Sequence, residues 1–273
     1  LPRHGKSDPA HNTEWWKEEY KLTAEHYCNF ILELCKALDL EKPIFMGSSF
    51  GGNVALQLAL NKSNNLDYVI NSIENFCRDN KSLELVILSE LAVGGPGAKN
   101  TDYRLDKYIS TFSDLAKKLD IWLIPGTFYE QDGDSVFNTA PVFNSNGELV
   151  TKARKLYPWL PYEINVDSGN DICIFDMPGK GIIGVHICYD LWFPETSRAL
   201  AIAGAELIIN PTLTPTKDRE IETLMVRTTA AQQQAYYIDV NSCGDQGCGL
   251  SIAADPEGNI LHKSSDQEDL FTI

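Results

Sequence analysis

The chain contains 273 residues and has a formal net charge of −15, because 38 Asp and Glu outnumber 23 Lys and Arg. An acidic chain without a basic run is repelled by phosphate backbones and anionic lipids, so we expect no nucleic-acid partner and no membrane-surface partner. No apolar run approaches the roughly 20 residues that a membrane-spanning helix needs. The length suits one large domain or two small ones.

The start of the chain and its cysteines bear on whether the sequence is a fragment and on the compartment of the protein. The chain opens at Leu1 with neither an initiator Met nor a charged-then-apolar signal segment, so we expect a fragment boundary there. Its seven cysteines are odd in number, and their spacing fits neither a zinc site nor a compact disulfide framework. Such cysteines are typical of free thiols in a reducing compartment, which predicts a cytoplasmic protein. Cys243 and Cys248 lack accompanying ligands in the sequence, so we predict no metal site.

Residues 1–62 are predicted to form a separate unit. Apolar residues recur at helical spacing over 14–38, and a short apolar run at 43–46 indicates a buried strand. This strand leads into Gly47-Ser-Ser-Phe-Gly51, a G-x-S-x-G turn that holds Ser49 at its apex. The stretch 1–60 resembles the front of an α/β-hydrolase, which makes Ser49 a candidate nucleophile.

The histidines argue against a working serine site. An α/β-hydrolase triad needs an acid and then a His downstream of the serine. The only later histidines are His186, which alternates into an apolar strand, and His262, which follows a terminal strand. We predict core or surface roles for both. Ser49 is therefore interpreted as a vestigial nucleophile, and a serine esterase is kept as an alternative function.

Residues 63–273 are predicted to form an α/β domain. Helical patterns cover 65–77, 105–119, 194–203 and 218–233, and β-like runs occur at 85–88, 121–124, 137–143, 181–187, 206–210, 236–240, 250–254 and 259–262. Strands and helices that alternate in this way indicate sheet layers covered by helices. The stretch 53–61 fits either the helix behind Ser49 or the opening strand of this second domain.

Three predicted strand ends carry reactive side chains. Leu85-Val-Ile-Leu-Ser runs directly into Glu90, and a loop held by two prolines carries Lys155 and Glu163. The apolar run at 184–188 ends at Cys188. Because active sites of layered α/β folds gather at strand ends, we expect these side chains to converge. Cys173, in a strand-like context, is predicted to be a core residue.

The motifs ILSEL, RKLYPWLPYE and HICYDLWFPE resemble, in this order, the Glu, Lys and Cys motifs of the nitrilase, or carbon–nitrogen hydrolase, superfamily. Phe137-Asn-Thr-Ala140 and the segment 204–212 support the resemblance, which covers about residues 64–273. The form of the lysine motif is similar to the aliphatic amidase and formamidase branch. The resemblance implies a four-layer α-β-β-α sandwich, a homo-oligomer, no cofactor and a small-molecule amide as substrate.

The resemblance also implies a role for each reactive residue. Cys188 would attack the amide carbonyl as a thiolate and form a thioester. Glu90 would act as general base, and Lys155 would face the oxyanion together with the backbone N–H of Tyr189. Glu163 would orient Lys155 or the substrate amide.

Further choices stay open in the sequence. Tyr189, Tyr129 and Trp192 are candidate substrate-binding residues, although Tyr129 and Trp192 could equally pack in the core. The sequence does not separate amide hydrolysis from nitrile hydrolysis or acyl transfer. A non-catalytic interaction module is a third function, beside the amidase and the serine esterase.

Overall fold

The structure is a computed structural model that describes residues 65–97, 104–244, 246–268 and 270–273. The chain divides into two compact units, Leu1–Val69 and Ile70–Ile273. The predicted α/β-hydrolase-like fragment 1–62, including Ser49, lies outside the described residues. The predicted domain boundary between residues 62 and 63 therefore stays a prediction.

The first sheet contains five strands and is mixed. Helix α1 (Asn65–Asp79) precedes it, and the sheet is built from β1 (Leu85–Ile87), β2 (Trp122–Ile124), β3 (Phe128–Asp132), β4 (Ser135–Phe143) and β5 (Leu149–Arg154). The strand order is β1-β2-β4-β3, and β5 also pairs with β4. Strands β1 and β2 are parallel, and the other pairs are antiparallel. A 3₁₀ helix (Leu105–Lys107) and α2 (Ile109–Leu119) connect β1 to β2.

The second sheet contains six strands in the order β11-β10-β9-β8-β7-β6. Its strands are β6 (Cys173–Met177), β7 (Gly181–Val185), β8 (Leu207–Thr212), β9 (Tyr236–Asn241), β10 (Ile252–Ala254) and β11 (Ile260–Lys263). Strands β7, β8 and β9 are parallel, and the outer strands are antiparallel. A 3₁₀ helix (Cys188–Trp192) and α3 (Pro194–Ile202) connect β7 to β8, and α4 (Asp218–Gln233) connects β8 to β9. Pro194 suits the first turn of α3 because no intrahelical partner is lost there.

The two sheets pack face to face, with helices on their outer faces. Trp122 of the first sheet stacks on Phe175 of the second, with ring centroids 5.4 Å apart. On the outer face of the first sheet, Phe112 of α2 packs against Phe128 with ring centroids 5.6 Å apart. On the outer face of the second sheet, α3 and α4 bury an apolar cluster that includes Leu200, Val226, Ala230, Ile208 and Tyr237. The predicted four-layer α-β-β-α sandwich is confirmed.

Most predicted elements of 63–273 occur, with shifts at their ends. The strand predicted at 181–187 ends at Val185, and the helix predicted at 105–119 is divided into a 3₁₀ turn and α2. Strands β3 and β5 were not predicted, because their polar residues mask the alternation of a strand. Among the described residues, no helix has the length and apolarity that a membrane crossing requires.

Candidate active site

Lys155 lies at the centre of a buried cluster of charged groups. It directly follows β5, and its backbone N–H donates to the carbonyl oxygen of Asn138 on β4 at 2.8 Å. Its Nζ donates to Glu90 Oε1 at 2.9 Å and to Glu163 Oε2 at 2.7 Å. Lys155 is only 1% exposed, so water does not share these contacts. The structure thus brings three of the predicted site residues into direct contact.

Asn138 also belongs to this cluster, although its sequence context predicted no role for it. Its Nδ2 donates to Glu90 Oε1 at 2.8 Å and to Glu163 Oε1 at 2.9 Å, and the residue is fully buried. The amide therefore holds the two carboxylates in fixed positions around the ammonium of Lys155. A polar residue in the apolar strand 135–143 was a signal in the sequence, but only strand register shows which carboxylates it reaches.

Glu163 is fixed from two directions. Besides Lys155 and Asn138, its Oε2 accepts a hydrogen bond from the backbone N–H of Trp159 at 2.7 Å. The donor and the acceptor belong to the same short loop, so this contact closes the loop onto Lys155. Such a carboxylate has little freedom to move toward another partner, which suits an orienting role.

The backbone around Glu90 is tightly constrained. The Glu90 N–H donates to the carbonyl oxygen of Thr212 at 3.3 Å, and the next residue, Leu91, has a left-handed φ of 51°. The Leu91 N–H donates to Thr127 Oγ1 at 3.0 Å. Non-glycine residues rarely adopt such a φ, and the surrounding contacts must hold it in place.

Cys188 has the same unusual backbone. It begins a 3₁₀ helix with a φ of 49°, three residues beyond the end of β7, rather than closing the strand as predicted. Its side chain is buried, with the residue 6% exposed. Cys188 belongs to a buried cluster that includes Ile124 of the first sheet and Ile209 of the second, so it lies where the two sheets meet.

Asp190 ties the turn of Cys188 to the loop of Lys155. Its carboxylate accepts hydrogen bonds from the backbone N–H of Ile187 at 2.9 Å, of Leu156 at 3.0 Å and of Tyr157 at 2.8 Å. Burial raises the pKa of Asp190 to about 7, although these backbone donors oppose the shift. Since Ile187 precedes the cysteine and Leu156 follows the lysine, one carboxylate sets the distance between both segments.

The charges of the cluster are strongly coupled. Burial raises the pKa of Glu90, with Lys155 opposing and Glu163 reinforcing the shift. Burial alone would lower the pKa of Lys155, but Glu90, Cys188 and Glu163 together hold it well above its usual value. Burial and Glu90 raise the pKa of the Cys188 thiol well above its usual value, and Lys155 only partly opposes them. The resting site therefore combines a protonated lysine with a neutral thiol.

The three candidate substrate-binding aromatic residues have different surroundings. Tyr129 is buried, accepts a hydrogen bond from Gly97 N–H at 3.3 Å, and has its pKa raised to about 12, mainly by burial. Tyr189 and Trp192 are half-buried, with ring centroids 6.1 Å apart. The Trp192 indole donates to Glu222 Oε1 at 3.1 Å. Their contact with a substrate stays a prediction.

Over residues 52–273 the chain matches the carbon-nitrogen hydrolase family. The chain belongs to this family. Two relatives from the sequence comparison are similar over more than half of the chain. This chain is 32% identical over 179 residues to a deaminated glutathione amidase of Dictyostelium discoideum, and the similarity covers 58% of this chain and 61% of the relative. It is 29% identical over 190 residues to a formamidase of Bacillus thuringiensis (strain Al Hakam), covering 66% of this chain and 56% of the relative. The chain thus spans roughly three fifths of these carbon-nitrogen hydrolases.

Solved structures support the fold of this carbon-nitrogen hydrolase. Nit3 of Saccharomyces cerevisiae, a member of branch 10 of the nitrilase superfamily, is similar with a TM-score of 0.70 and 26% identity, covering 76% of this chain and 82% of Nit3. An amidase from Nesterenkonia sp. AN1 has a TM-score of 0.68 at 20% identity, covering 74% of this chain and 83% of the amidase. At that lower identity the likeness supports the nitrilase-like fold alone.

A second family match concerns the start of the chain. Residues 1–72 match the alpha/beta hydrolase fold family, which agrees with the resemblance around Ser49. This range overlaps the carbon-nitrogen hydrolase match at residues 52–72. The segment 53–61, which fits two folds by pattern, lies inside that overlap.

His186 lies apart from this chemistry. The His186 ring contacts the Tyr237 hydroxyl at 2.7 Å, and burial lowers the pKa of His186 to about 3. Of the core and surface roles predicted for His186, its burial supports the core role, and the core role predicted for Cys173, which is 5% exposed, is confirmed. Within the described part of the chain, no three His, Cys, Asp or Glu side chains are grouped as metal ligands.

Proposed function

We propose that this carbon-nitrogen hydrolase cleaves the C–N bond of a small linear amide through a thioester on Cys188. The proposal rests on the buried cluster in which Lys155 Nζ donates hydrogen bonds to Glu90 and Glu163. Cys188 is close enough to this cluster to raise the pKa of Lys155 and to lower the pKa of Glu90. The names of two relatives, an amidase and a formamidase, support an amide as the substrate class.

The first half-reaction acylates the cysteine. Because the Cys188 thiol is neutral at rest, a base must remove its proton as the sulfur attacks the carbonyl carbon. Glu90 fits this role, since a raised pKa makes its carboxylate a stronger base. The developing oxyanion is stabilised by Lys155 and the Tyr189 N–H, and one such donor is typically worth about 10²–10³ in rate. The C–N bond then breaks, and protonated Glu90 returns the proton to the leaving nitrogen as ammonia departs.

The second half-reaction releases the acid. A water molecule loses a proton to Glu90 and attacks the thioester carbon, again with its oxyanion near Lys155. Collapse of this intermediate breaks the C–S bond, and the proton returns from Glu90 to the sulfur. Glu163 and Asn138 keep Lys155 and Glu90 in place through both half-reactions. The hydrogen bonds of Asn138 to Glu90 and Glu163, and of Lys155 to Glu163, do not have to break in either step.

The central test is ammonia release from formamide, acetamide and propionamide. We expect Cys188→Ser and Glu90→Gln to abolish release, because each removes a group that the acylation step requires. Cys173→Ser is the matched control, since it alters another buried thiol whose only described polar contact is Thr151. Intact-mass analysis should show an acyl adduct on Cys188 in wild type.

Ester hydrolysis and thiol labelling, measured beside ammonia release, separate the alternative functions. Loss of ester hydrolysis in Ser49→Ala, with Cys188→Ser fully active, would replace the thiol amidase by the serine esterase. A folded protein whose Cys188 resists thiol-directed labelling and which releases no ammonia would favour a non-catalytic interaction module.

We also propose a cytoplasmic homo-oligomer. Free thiols support a reducing compartment, and they are found at Cys77, Cys173, Cys188, Cys243 and Cys248. Exposed apolar side chains on α3 and α4, Ile202 at 73% and Leu224 at 54%, support a subunit contact. Sedimentation should show a multimer that Ile202→Lys with Leu224→Lys converts to a monomer; a wild-type monomer would contradict the proposal.

A further inference from the structure

Glu222 is a buried carboxylate in the second turn of α4 that takes no part in the proposed reaction steps. The residue is 4% exposed. Its Oε1 accepts hydrogen bonds from the Trp192 indole N–H and from Thr214 Oγ1, both at 3.1 Å. Its Oε2 accepts a hydrogen bond from Arg219 Nη1 at 3.3 Å, one turn earlier on the helix. A buried carboxylate is unfavourable unless its oxygens are paired, and here both oxygens are.

The two donors to Glu222 Oε1 belong to the segments that meet at the Cys188 sulfur. Trp192 is the last residue of the 3₁₀ helix that Cys188 begins. Thr214 lies two residues beyond β8, directly after Leu213. The backbone N–H of Leu213 donates a hydrogen bond to the Cys188 sulfur and thereby lowers the pKa of the thiol. One carboxylate oxygen therefore joins the helix that carries the sulfur to the segment that offers the sulfur a donor.

The segment after β8 is itself fixed in position. The Thr214 N–H donates to Asn241 Oδ1 at 2.8 Å, and Asn241 Nδ2 donates to the carbonyl oxygen of Thr214 at 3.2 Å. The carbonyl oxygen of Thr212 accepts the Glu90 N–H at 3.3 Å. The segment thus has a defined position relative to the proposed base, and Glu222 joins the helix of the proposed nucleophile to it.

Arg219 keeps the Glu222 carboxylate in its orientation. The arginine is 1% exposed, forms an ion pair with Asp239 of β9, and donates to the carbonyl oxygen of Leu250 at 2.8 Å. Asp239 is held in turn, because its Oδ2 accepts a hydrogen bond from Thr212 Oγ1 at 3.0 Å. Glu222 therefore reaches its two donors from a helical turn that the second sheet holds in place.

We propose that Glu222 is a positioning residue that holds the Cys188 sulfur beside the Leu213 backbone N–H. It acts through the two donors to its Oε1 and does not contact the substrate. The inference rests on the proposed role of Cys188 as nucleophile. Asp190 fixes the residue before the cysteine, and Glu222 fixes the end of the 3₁₀ helix after it, so the turn is held from both directions.

The first test separates the hydrogen bonds of Glu222 from its charge, in ammonia release from acetamide. Glu222→Ala removes the acceptor of both donors, and we expect kcat to fall by about 10–100-fold because the nucleophile is misplaced. KM should stay within about 3-fold of wild type, since no substrate contact is lost. Glu222→Gln keeps an oxygen that accepts both donors, so it should hold kcat within about 3-fold of wild type.

The second test is the pH dependence of Cys188 alkylation by iodoacetamide, followed by peptide mass spectrometry. Glu90, Lys155 and Glu222 all act on the thiol, and Glu222 raises its pKa as a nearby negative charge. Glu222→Gln removes this charge alone, so the alkylation profile should move to lower pH. Glu222→Ala should move it less, because the stabilising N–H of Leu213 is lost as well. A residue that only supports the fold would leave the profile unmoved.

Two control variants complete the design. Glu220→Ala and Glu220→Gln alter an exposed glutamate of the same helix, and they should leave kcat, KM and the alkylation profile unchanged. Thr214→Val removes one of the two donors; it should lower kcat in wild type and have no further effect in Glu222→Ala, because coupled residues are not additive. Thr214→Val and Glu222→Gln keep the inference testable if Glu222→Ala fails to fold.

The outcomes distinguish this inference from the proposed function. A kcat for Glu222→Ala within about 2-fold of Glu220→Ala would overturn the positioning role. Equal losses of kcat in Glu222→Ala and Glu222→Gln would assign the effect to charge, and a rise in KM that accounts for the loss would assign it to substrate contact; either would overturn the role too. If Cys188 shows the expected alkylation shifts but wild type releases no ammonia from any amide, the proposed function alone is overturned.

Discussion

Gly126 lies against the backbone that carries Glu90, so its replacement by alanine tests how tightly that carboxylate must be held. Gly126 has a φ of +79°, and a Cβ built on it would lie 2.1 Å from the carbonyl oxygen of Ser89 and 3.3 Å from Cβ of Ala92. The first distance is impossible for a real contact, and the obstructing atom is backbone rather than a flexible side chain. Gly126→Ala must therefore displace the segment that leads into Glu90.

The size of the effect follows from this geometry. The left-handed φ costs an alanine about 1–2 kcal/mol, and overpacking adds about 1–3 kcal/mol. Relieving the overlap requires a shift of about 1 Å next to Glu90, the proposed general base, and a misplacement of that size can cost about 10²-fold in rate. We therefore expect Gly126→Ala to lose roughly 2–5 kcal/mol of stability and about 100-fold of kcat.

Urea unfolding and ammonia release measure the two effects on the same preparation. Gly133→Ala is the matched control, because Gly133 also has a positive φ, +59°, but a Cβ there meets nothing within 4 Å. It should lose about 1 kcal/mol from backbone strain and keep its activity. If Gly126→Ala folds and its kcat stays within about 2-fold of Gly133→Ala, the argument that Gly126 positions Glu90 is refuted.

Three other predictions concern buried polar groups. Asp190→Asn should destabilise the fold by about 1–3 kcal/mol and slow alkylation of Cys188, because an amide nitrogen replaces the oxygen that accepts the Ile187 N–H and leaves this buried donor without an acceptor; unchanged unfolding and alkylation would contradict this. The pKa of His186 is about 3 in the folded state against 6.5 for the free side chain, so stability is full above pH 6.5 and falls by about 1 kcal/mol per unit as pH drops toward 3. His186→Gln should flatten that slope in urea unfolding between pH 7 and 4, and an identical slope would exclude this cause. Asn138→Leu removes two donors from the carboxylates, so it should raise the pKa of Glu90 and move the acidic limb of the kcat/KM profile to higher pH; an unmoved limb would contradict it.

The sequence points to the candidate reactive side chains more directly than to the groups that position them. Glu90 and Cys188 are recognisable because each follows an apolar run, and Lys155 because it lies in a loop held by two prolines. The order of the three motifs resembles that of a known family. Asn138 and Asp190 are not recognisable in this way, because their importance depends on contacts with residues 25 to 48 positions away. Such contacts are fixed by strand register and turn geometry, which local patterns do not encode.

The strands show the same limit. Strand β4 was predicted from the β-like run at 137–143, whereas β5, with the sequence LVTKAR, has exposed residues and mixed polarity. Its assignment requires its pairing with β4. The sequence left a core role and a surface role open for His186, and the burial of this residue decides for the core.

The candidate site draws its members from both sheets. Glu90 and Lys155 follow strands of the first sheet, and Cys188 follows β7 of the second. Neither sheet alone carries the proposed nucleophile together with its proposed base, so the proposed catalysis requires the two sheets to associate through contacts such as Trp122 with Phe175. Loosening the contact between the sheets should abolish the proposed activity while each sheet keeps its own hydrogen bonds. The rate of turnover should therefore report the association of the two sheets more sensitively than circular dichroism does.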